Sequence, residues 1–85
     1  MSGPHWLVYI LRCSDGSLYT GATNDLARRL AAHGCGKASR YTRSRLPIVL
    51  VYSEPVRGRG AALRREHAIK SLSRQDKIQL IRQSA

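Results

Sequence analysis

Residues 6–21 read W-L-V-Y-I-L-R-C-S-D-G-S-L-Y-T-G, and the fold of the whole chain follows from how this stretch is read. Trp6 to Arg12 is rich in strand formers and apolar on both alternating faces, with Trp6, Val8 and Ile10 on one and Leu7, Tyr9 and Leu11 on the other. A strand apolar on both faces lies centrally in its sheet or is covered by helices on each side. Ser14-Asp15-Gly16 is a turn signal, so Ser17 to Gly21 is predicted to return as an antiparallel partner. The hairpin carries one tyrosine on each strand, Tyr9 and Tyr19, and a tight turn lets the two rings share a sheet face.

Working outward, Asn24 reads as a helix N-cap with Asp25 in the first turn, and the helix runs to about His33. Gly34 to Gly36 ends it. Lys37 to Arg45 (K-A-S-R-Y-T-R-S-R) is a basic loop or short helix. Pro47 precedes a third strand, Ile48 to Tyr52, and Pro55, Gly58 and Gly60 mark Glu54 to Gly60 as loop. Ala61 to about Ser71 has helical periodicity. Ser73 is a second N-cap with Asp76 completing a capping box, and the last helix, Arg74 to about Arg82, uses Ile78 and Ile81 as its apolar stripe. Met1 to His5 is expected to fray. No repeat or linker divides the chain, so residues 1–85 are expected to form one domain with its core at about 6–81. The order β-β-α-β-α-α predicts an α/β or α+β protein, a small sheet flanked by helices.

Charge narrows the function. Fifteen Lys and Arg stand against five Asp and Glu, a formal net charge of +10. Such self-repulsion in a small fold calls for a polyanionic partner. Twelve of the fifteen are Arg, whose planar fork suits phosphate. Codon bias is a competing source of arginine but does not explain the scarcity of acids. The basic residues are spread along the chain instead of lining one amphipathic helix, which argues against a membrane surface. No apolar run approaches the ~20 residues of a membrane span, and no leader-like N-terminus is visible. Cys13 and Cys35 make no disulfide framework, and reduced thiols are the simpler reading. The expected location is the cytoplasm.

The five acids single out one residue. Asp15 sits in a turn, Asp25 and Asp76 in first helical turns, and Glu54 before Pro55 in a loop. Glu66 has no such place. On a helical wheel it falls between Ala62, Leu63 and Ile69, inside the apolar stripe. A carboxylate there needs a partner, either one of the arginines or a metal. A single carboxylate facing a phosphate suits Mg²⁺, which keeps most of its waters.

In the first helix Leu26 and Leu30 define the buried face. Arg29 and His33 lie at its edge at i, i+4, while Arg28 points away. Arg29 is thus the arginine placed either to clamp a phosphate oxygen or to snorkel from the core edge. His33 suits the site or the helix dipole. Tyr9 and Tyr19 suit cross-strand packing, or chemistry if positive charge lies near a phenol. In the basic segment, Lys37, Arg40, Arg43 and Arg45 surround Tyr41, a pattern that fits phosphate contacts with base stacking as well as a solvated loop.

Taken together these stretches resemble the GIY-YIG nuclease domain, in its small single-domain bacterial branch, and are similar to the nuclease half of the Slx-type endonucleases. The motifs are Val8-Tyr9-Ile10; Tyr19-Thr20-Gly21; N-D-L-A-R-R-L-A-A-H from Asn24 to His33; and A-L-R-R-E-H-A-I-K from Ala62 to Lys70. The resemblance implies a three-stranded antiparallel sheet with flanking helices. It implies divalent-metal-dependent cleavage of DNA, in repair or processing of branched or single-stranded DNA, leaving 5′-phosphate and 3′-hydroxyl ends. Residue by residue it implies Tyr19 as general base or water-positioning phenol, and Tyr9 as the residue orienting water or phosphate. Arg29 becomes the transition-state cation, Glu66 the ligand of one Mg²⁺ or Mn²⁺ ion, and His33 a residue lining the site. Val8 departs from the glycine of the family's name, and Thr20 occupies the variable middle of the second motif. The late asparagine of some larger members has no counterpart, Asn24 being the only Asn. Larger relatives choose targets with extra domains, so a partner protein is expected to supply specificity here. The rival expectation is a non-catalytic basic module of the same fold that binds nucleic acid, with RNA as well as DNA within its reach.

Overall fold

The computed structural model describes residues 5–84. The elements are β1 (Trp6–Arg12), β2 (Leu18–Thr23), α1 (Leu26–Gly34), α2 (Arg40–Arg43), β3 (Val49–Val56), α3 (Arg59–Lys70) and α4 (Arg74–Gln83). The sheet is antiparallel throughout, in the order β2-β1-β3. The fold is α+β in the predicted order, with the short α2 added. The expectation for Met1 to Pro4 lies outside the described residues.

β1 is central, as its two apolar faces require, and Val8 to Leu11 are fully buried. Val8 and Ile10 face α3, packing with Tyr52, Ala62 and Ile69, and Leu80 and Ile81 of α4 extend that cluster. Tyr9 and Leu11 face the other way, toward α1 and α2. Across the ladder Tyr9 meets Gly21 and Leu11 meets Tyr19. Directly opposed residues share a face, so Tyr9, Tyr19 and Gly21 lie on one side of the sheet. The turn forms as its residues demand. The Asp15 carboxylate accepts the Ser17 N–H at 3.0 Å, and Gly16 takes φ +84°.

Several boundaries move, each for a local reason. β2 spans Leu18–Thr23 and not Ser17 to Gly21, because the ladder continues to the Leu7–Thr23 pair. The N-cap of α1 is Asp25 and not Asn24: its carboxylate accepts the Arg28 N–H at 3.1 Å, and Thr23 Oγ1 accepts the Asp25 N–H at 3.0 Å. β3 starts at Val49 and continues through Glu54 and Pro55, in place of the expected loop, so that it pairs with all of β1. Pro55 is tolerated because β3 is an edge strand with one row of backbone groups unpaired. α3 begins at Arg59, capped by Gly58, two residues before the expected start. α4 keeps its expected cap, with Ser73 Oγ accepting the Asp76 N–H at 3.1 Å.

The extension of β3 changes the meaning of Glu54. It accepts hydrogen bonds from the Tyr52 hydroxyl and from Arg65, whose Nε and Nη2 lie 2.8 and 3.1 Å from the carboxylate. Burial pushes the Glu54 carboxyl up, but the Arg65 and Tyr52 hydrogen bonds and the Arg65 charge outweigh it and hold it below its usual value. This pair fastens α3 to β3 one residue before Glu66. The apolar stripe of α3 is narrower than a helical wheel implies. Ala62 and Ile69 are buried, whereas Leu63 is 47% exposed.

Candidate active site

Tyr9 is the centre of the arrangement. Its ring lies over Gly21, where a side-chain Cβ would stand 2.5 Å from Tyr9 Cζ. Only glycine leaves that space, and the Tyr9 hydroxyl reaches past it to His33 of α1, with Oη 2.9 Å from Nε2. Both residues are fully buried. His33 uses its other nitrogen as well, with Nδ1 2.8 Å from Thr42 Oγ1 of α2.

The electrostatics of Tyr9 report its neighbours. Burial and the adjacent Tyr19 push its phenol up to about 12, Glu66 pushes in the same direction, and the Arg29 guanidinium pulls against them. Side chains from β2, α1 and α3 therefore act on one buried hydroxyl of β1. His33 is held below its usual value by burial and by the Arg29 charge, so it is neutral near pH 7.

Tyr19 is half-buried. Its ring meets His33 edge to face at 5.3 Å, and the same imidazole meets the Tyr9 ring at 5.8 Å. Tyr19 also stacks on Tyr41 at 6.0 Å and 29°. The Tyr41 ring carries the Arg45 guanidinium as well, 3.9 Å from the ring centroid. Arg45 in turn bonds the Asp15 carboxylate at 3.0 Å and the Tyr41 carbonyl at 2.9 Å. Tyr41, expected to offer a face to a nucleic-acid base, thus already stacks on one ring and holds one cation. Arg45 is engaged with the hairpin turn.

The other cations of that segment are gathered differently. Lys37, Arg40 and Arg43 line a hollow of about 380 Å³ with Gly36, Ala38 and Ser39. A second hollow of about 550 Å³ is lined by Thr23, Asn24, Asp25, Arg28, Arg29 and Ala32. Arg28, which the wheel turns away from the sheet, shares this hollow with Arg29. The first turn of α1 forms its rim, which brings both arginines to one space.

Glu66 is largely but not fully covered, its side chain 19% exposed, and its Oε2 lies 2.8 Å from Lys70 Nζ one turn on. The partner is an exposed lysine, not the arginine that a structural ion pair would use. Such an exposed contact is worth about 0.2–1 kcal/mol, so it yields readily to a stronger cation. Among the described residues no group of three or more His, Cys, Asp or Glu is placed to hold a metal. One carboxylate beside a water-accessible edge fits Mg²⁺ or Mn²⁺, which bind through few protein oxygens, and does not fit Zn²⁺.

Sequence reasoning misses two members of this neighbourhood. Thr42 stands inside a run of basic residues. Its one signal is Ser39, a helix cap whose hydroxyl accepts the Tyr41 N–H at 3.0 Å and so turns the third helical residue inward. Gly21 enters the sequence reading as a motif letter, without its contact to Tyr9.

Comparison with known proteins agrees with this architecture. The sequence model of the GIY-YIG catalytic domain matches residues 5–79, and the chain belongs to that family, whose members are nucleases that commonly use divalent metals. Within it the chain is similar to UPF0213 proteins. The one from Desulfotalea psychrophila is 51% identical over 82 residues, covering 95% of this chain and 74% of the relative. The one from Staphylococcus haemolyticus is 49% identical over 74 residues, covering 87% and 90%. The solution NMR structure of the UPF0213 protein from Bacillus halodurans is 45% identical, covers 91% of this chain and 82% of that one, and superposes with a TM-score of 0.59. A solution NMR structure of an E. faecalis protein is 33% identical, covers 96% and 88%, and gives 0.65. Among the described residues no helix is long and apolar enough to cross a membrane.

Proposed function

We propose that this chain hydrolyses DNA phosphodiester bonds as a divalent-metal-dependent endonuclease, acting as a single domain. The observation that carries the reading is the meeting of the Tyr9 hydroxyl and the Tyr19 ring at His33, with the Arg29 and Glu66 charges near enough to act on that hydroxyl. Arg29 is exposed and lines a polar hollow, so a phosphate entering there meets a guanidinium able to bind its equatorial oxygens and to stabilise the charge of the transition state. Tyr19 is the phenol that solvent reaches, and it positions the attacking water or takes its proton. Tyr9, held by His33, orients that water. Glu66 would hold one Mg²⁺ or Mn²⁺ ion in place of the Lys70 ammonium. Such an ion supplies Lewis-acid polarisation of the phosphate and charge relief at the leaving oxygen.

The Lys37, Arg40 and Arg43 hollow lies on the segment that also supplies Thr42 and Tyr41, and it binds the phosphates flanking the cut. DNA repair or the processing of branched or single-stranded DNA is the context we favour, with a partner protein supplying target choice. Free Cys13 and Cys35 accord with a reducing cytoplasm.

The test is a cleavage assay on branched, single-stranded and duplex DNA, with Mg²⁺ or Mn²⁺ against EDTA. Metal-dependent cutting is the expected result. Salt-sensitive binding without cutting on any substrate would mean that the chain is a nucleic-acid-binding module instead.

A further inference from the structure

The basic segment and the buried face of the sheet meet at one side chain that has no assigned role. Thr42 is fully buried although its neighbours Tyr41 and Arg43 are exposed. Its hydroxyl has two partners, His33 Nδ1 at 2.8 Å and the Ser39 carbonyl at 3.4 Å. A hydroxyl carries a single hydrogen, and a carbonyl only accepts. With that hydrogen given to Ser39, Thr42 Oγ1 must accept from His33, which puts the imidazole proton on Nδ1.

The other end of the chain of bonds is compatible with the same assignment. The Tyr9 hydroxyl is buried and also has one hydrogen to place. Arg29, the cation beside it, only donates. With the proton on Nδ1, His33 Nε2, 2.9 Å away, is left to accept the Tyr9 hydrogen, since a nitrogen that accepts carries no proton of its own. Which ring nitrogen of a histidine is protonated is set by the bond that the other makes.

We propose that Thr42 is a positioning residue: it holds His33 in the Nδ1–H tautomer, and so commits the Tyr9 oxygen to accepting hydrogen bonds from the site. This rests on the nuclease reading and sharpens it. A Tyr9 oxygen that only accepts can orient a water, which brings its own hydrogens. It cannot donate to a phosphate oxygen. With the opposite tautomer, Nε2–H would donate to Tyr9, and the phenol hydrogen would turn toward the phosphate. Thr42 thus decides between the two tasks open to Tyr9 and selects water. The four-residue helix that carries it has Arg40 and Arg43 on its outer side, lining the basic hollow. The segment that meets nucleic acid outside therefore sets the proton position inside.

The experiment is NMR of the full chain labelled with ¹⁵N in its histidine rings, the His33 signals being assigned by their loss in His33→Gln. The wild type is expected to carry the His33 proton on Nδ1. In Thr42→Val, which keeps the shape and removes the acceptor, the proton is expected on Nε2, and Thr42→Ser is expected to restore Nδ1. In cleavage, Thr42→Val should lower kcat by about 10- to 100-fold with KM for DNA unchanged, and Thr42→Ser should recover it. A wild-type proton on Nε2, or a Thr42→Val protein that keeps it on Nδ1, overturns the proposal. If Thr42→Val does not fold, Thr42→Ala, which also removes the acceptor, is read in its place with the same two outcomes. A wild type that cuts no DNA removes the nuclease reading, while the ring spectra still decide what Thr42 does to His33.

Discussion

Gly21 faces Tyr9 across the β1–β2 ladder, and the phenol ring occupies the volume that any side chain at Gly21 would need. The pair makes the geometry of the site a consequence of the hairpin register. A slip of one residue would put another side chain beneath the ring and move the hydroxyl away from His33. Gly21→Ala forces the ring or the strand to shift. It is expected to destabilise the fold by about 1–3 kcal/mol in urea or thermal unfolding. Turnover should fall in the protein that remains folded, and Gly34→Ala, where a Cβ meets nothing within 4 Å, serves as the control.

Thr20, between Tyr19 and Gly21, points to the opposite face. Its Oγ1 is buried and has no hydrogen-bond partner among the described residues. A buried hydroxyl without a partner costs stability that a methyl group of the same shape does not. Thr20→Val should raise stability by about 1 kcal/mol and leave any cleavage unchanged, because the residue lies beside Ile10 on the sheet face opposite Tyr9 and Tyr19. Paired melting curves and rates decide it.

His33 predicts a pH dependence of stability. Burial, then the Arg29 charge, lowers its folded value below the ordinary one of about 6.5. Between those two values the unfolded chain binds more protons than the folded one, so stability rises with pH through that window. The contribution is complete above about 6.5 and is lost as pH falls below it. Glu54 adds a second loss only below about 4.3, its unfolded value. Denaturant titrations from pH 7.5 to 5 should show a slope that His33→Gln flattens and that Glu54→Gln leaves in place.

Arg40 and Arg43 line one hollow with Lys37. Removing one cation that binds a phosphate should lower the steepness of the salt dependence of DNA binding by about one counterion. Arg40→Ala and Arg43→Ala are expected to weaken binding on every sequence alike. Arg45→Ala should act differently. Arg45 is tied to Asp15 and Tyr41, so its removal uncovers the Tyr41 ring and changes binding with less effect on the salt slope.

What the sequence disclosed depended on how local each cause was. Trp6 to Arg12 announced a central strand because both of its faces are apolar, a property read without knowing the partners. Ser73 announced its helix because a cap acts within three residues. Pro55 misled because a proline that ends most strands is harmless on the outer edge of β3, and edge position is a property of the sheet. Leu63 misled because a helical wheel gives angles but not how far a neighbouring element reaches around the helix. Tyr41 and Thr42 stand side by side, yet their partners Tyr19 and His33 lie on two other elements. No periodicity in the chain reports a ring already stacked and capped by a cation, or a hydroxyl nine residues from its imidazole.

In the proposed function Arg29 and Glu66 serve the chemistry of a bound phosphate and not the fold. The most direct measurement is single-turnover cleavage of saturating DNA in Mg²⁺ by wild type, Arg29→Ala and Glu66→Gln, with binding and melting temperature measured on the same samples. Both variants are expected to fold, to bind DNA and to cut at least about 100-fold more slowly, a loss of roughly 2.7 kcal/mol or more in transition-state stabilisation. Cutting at the wild-type rate by both variants would contradict that reading.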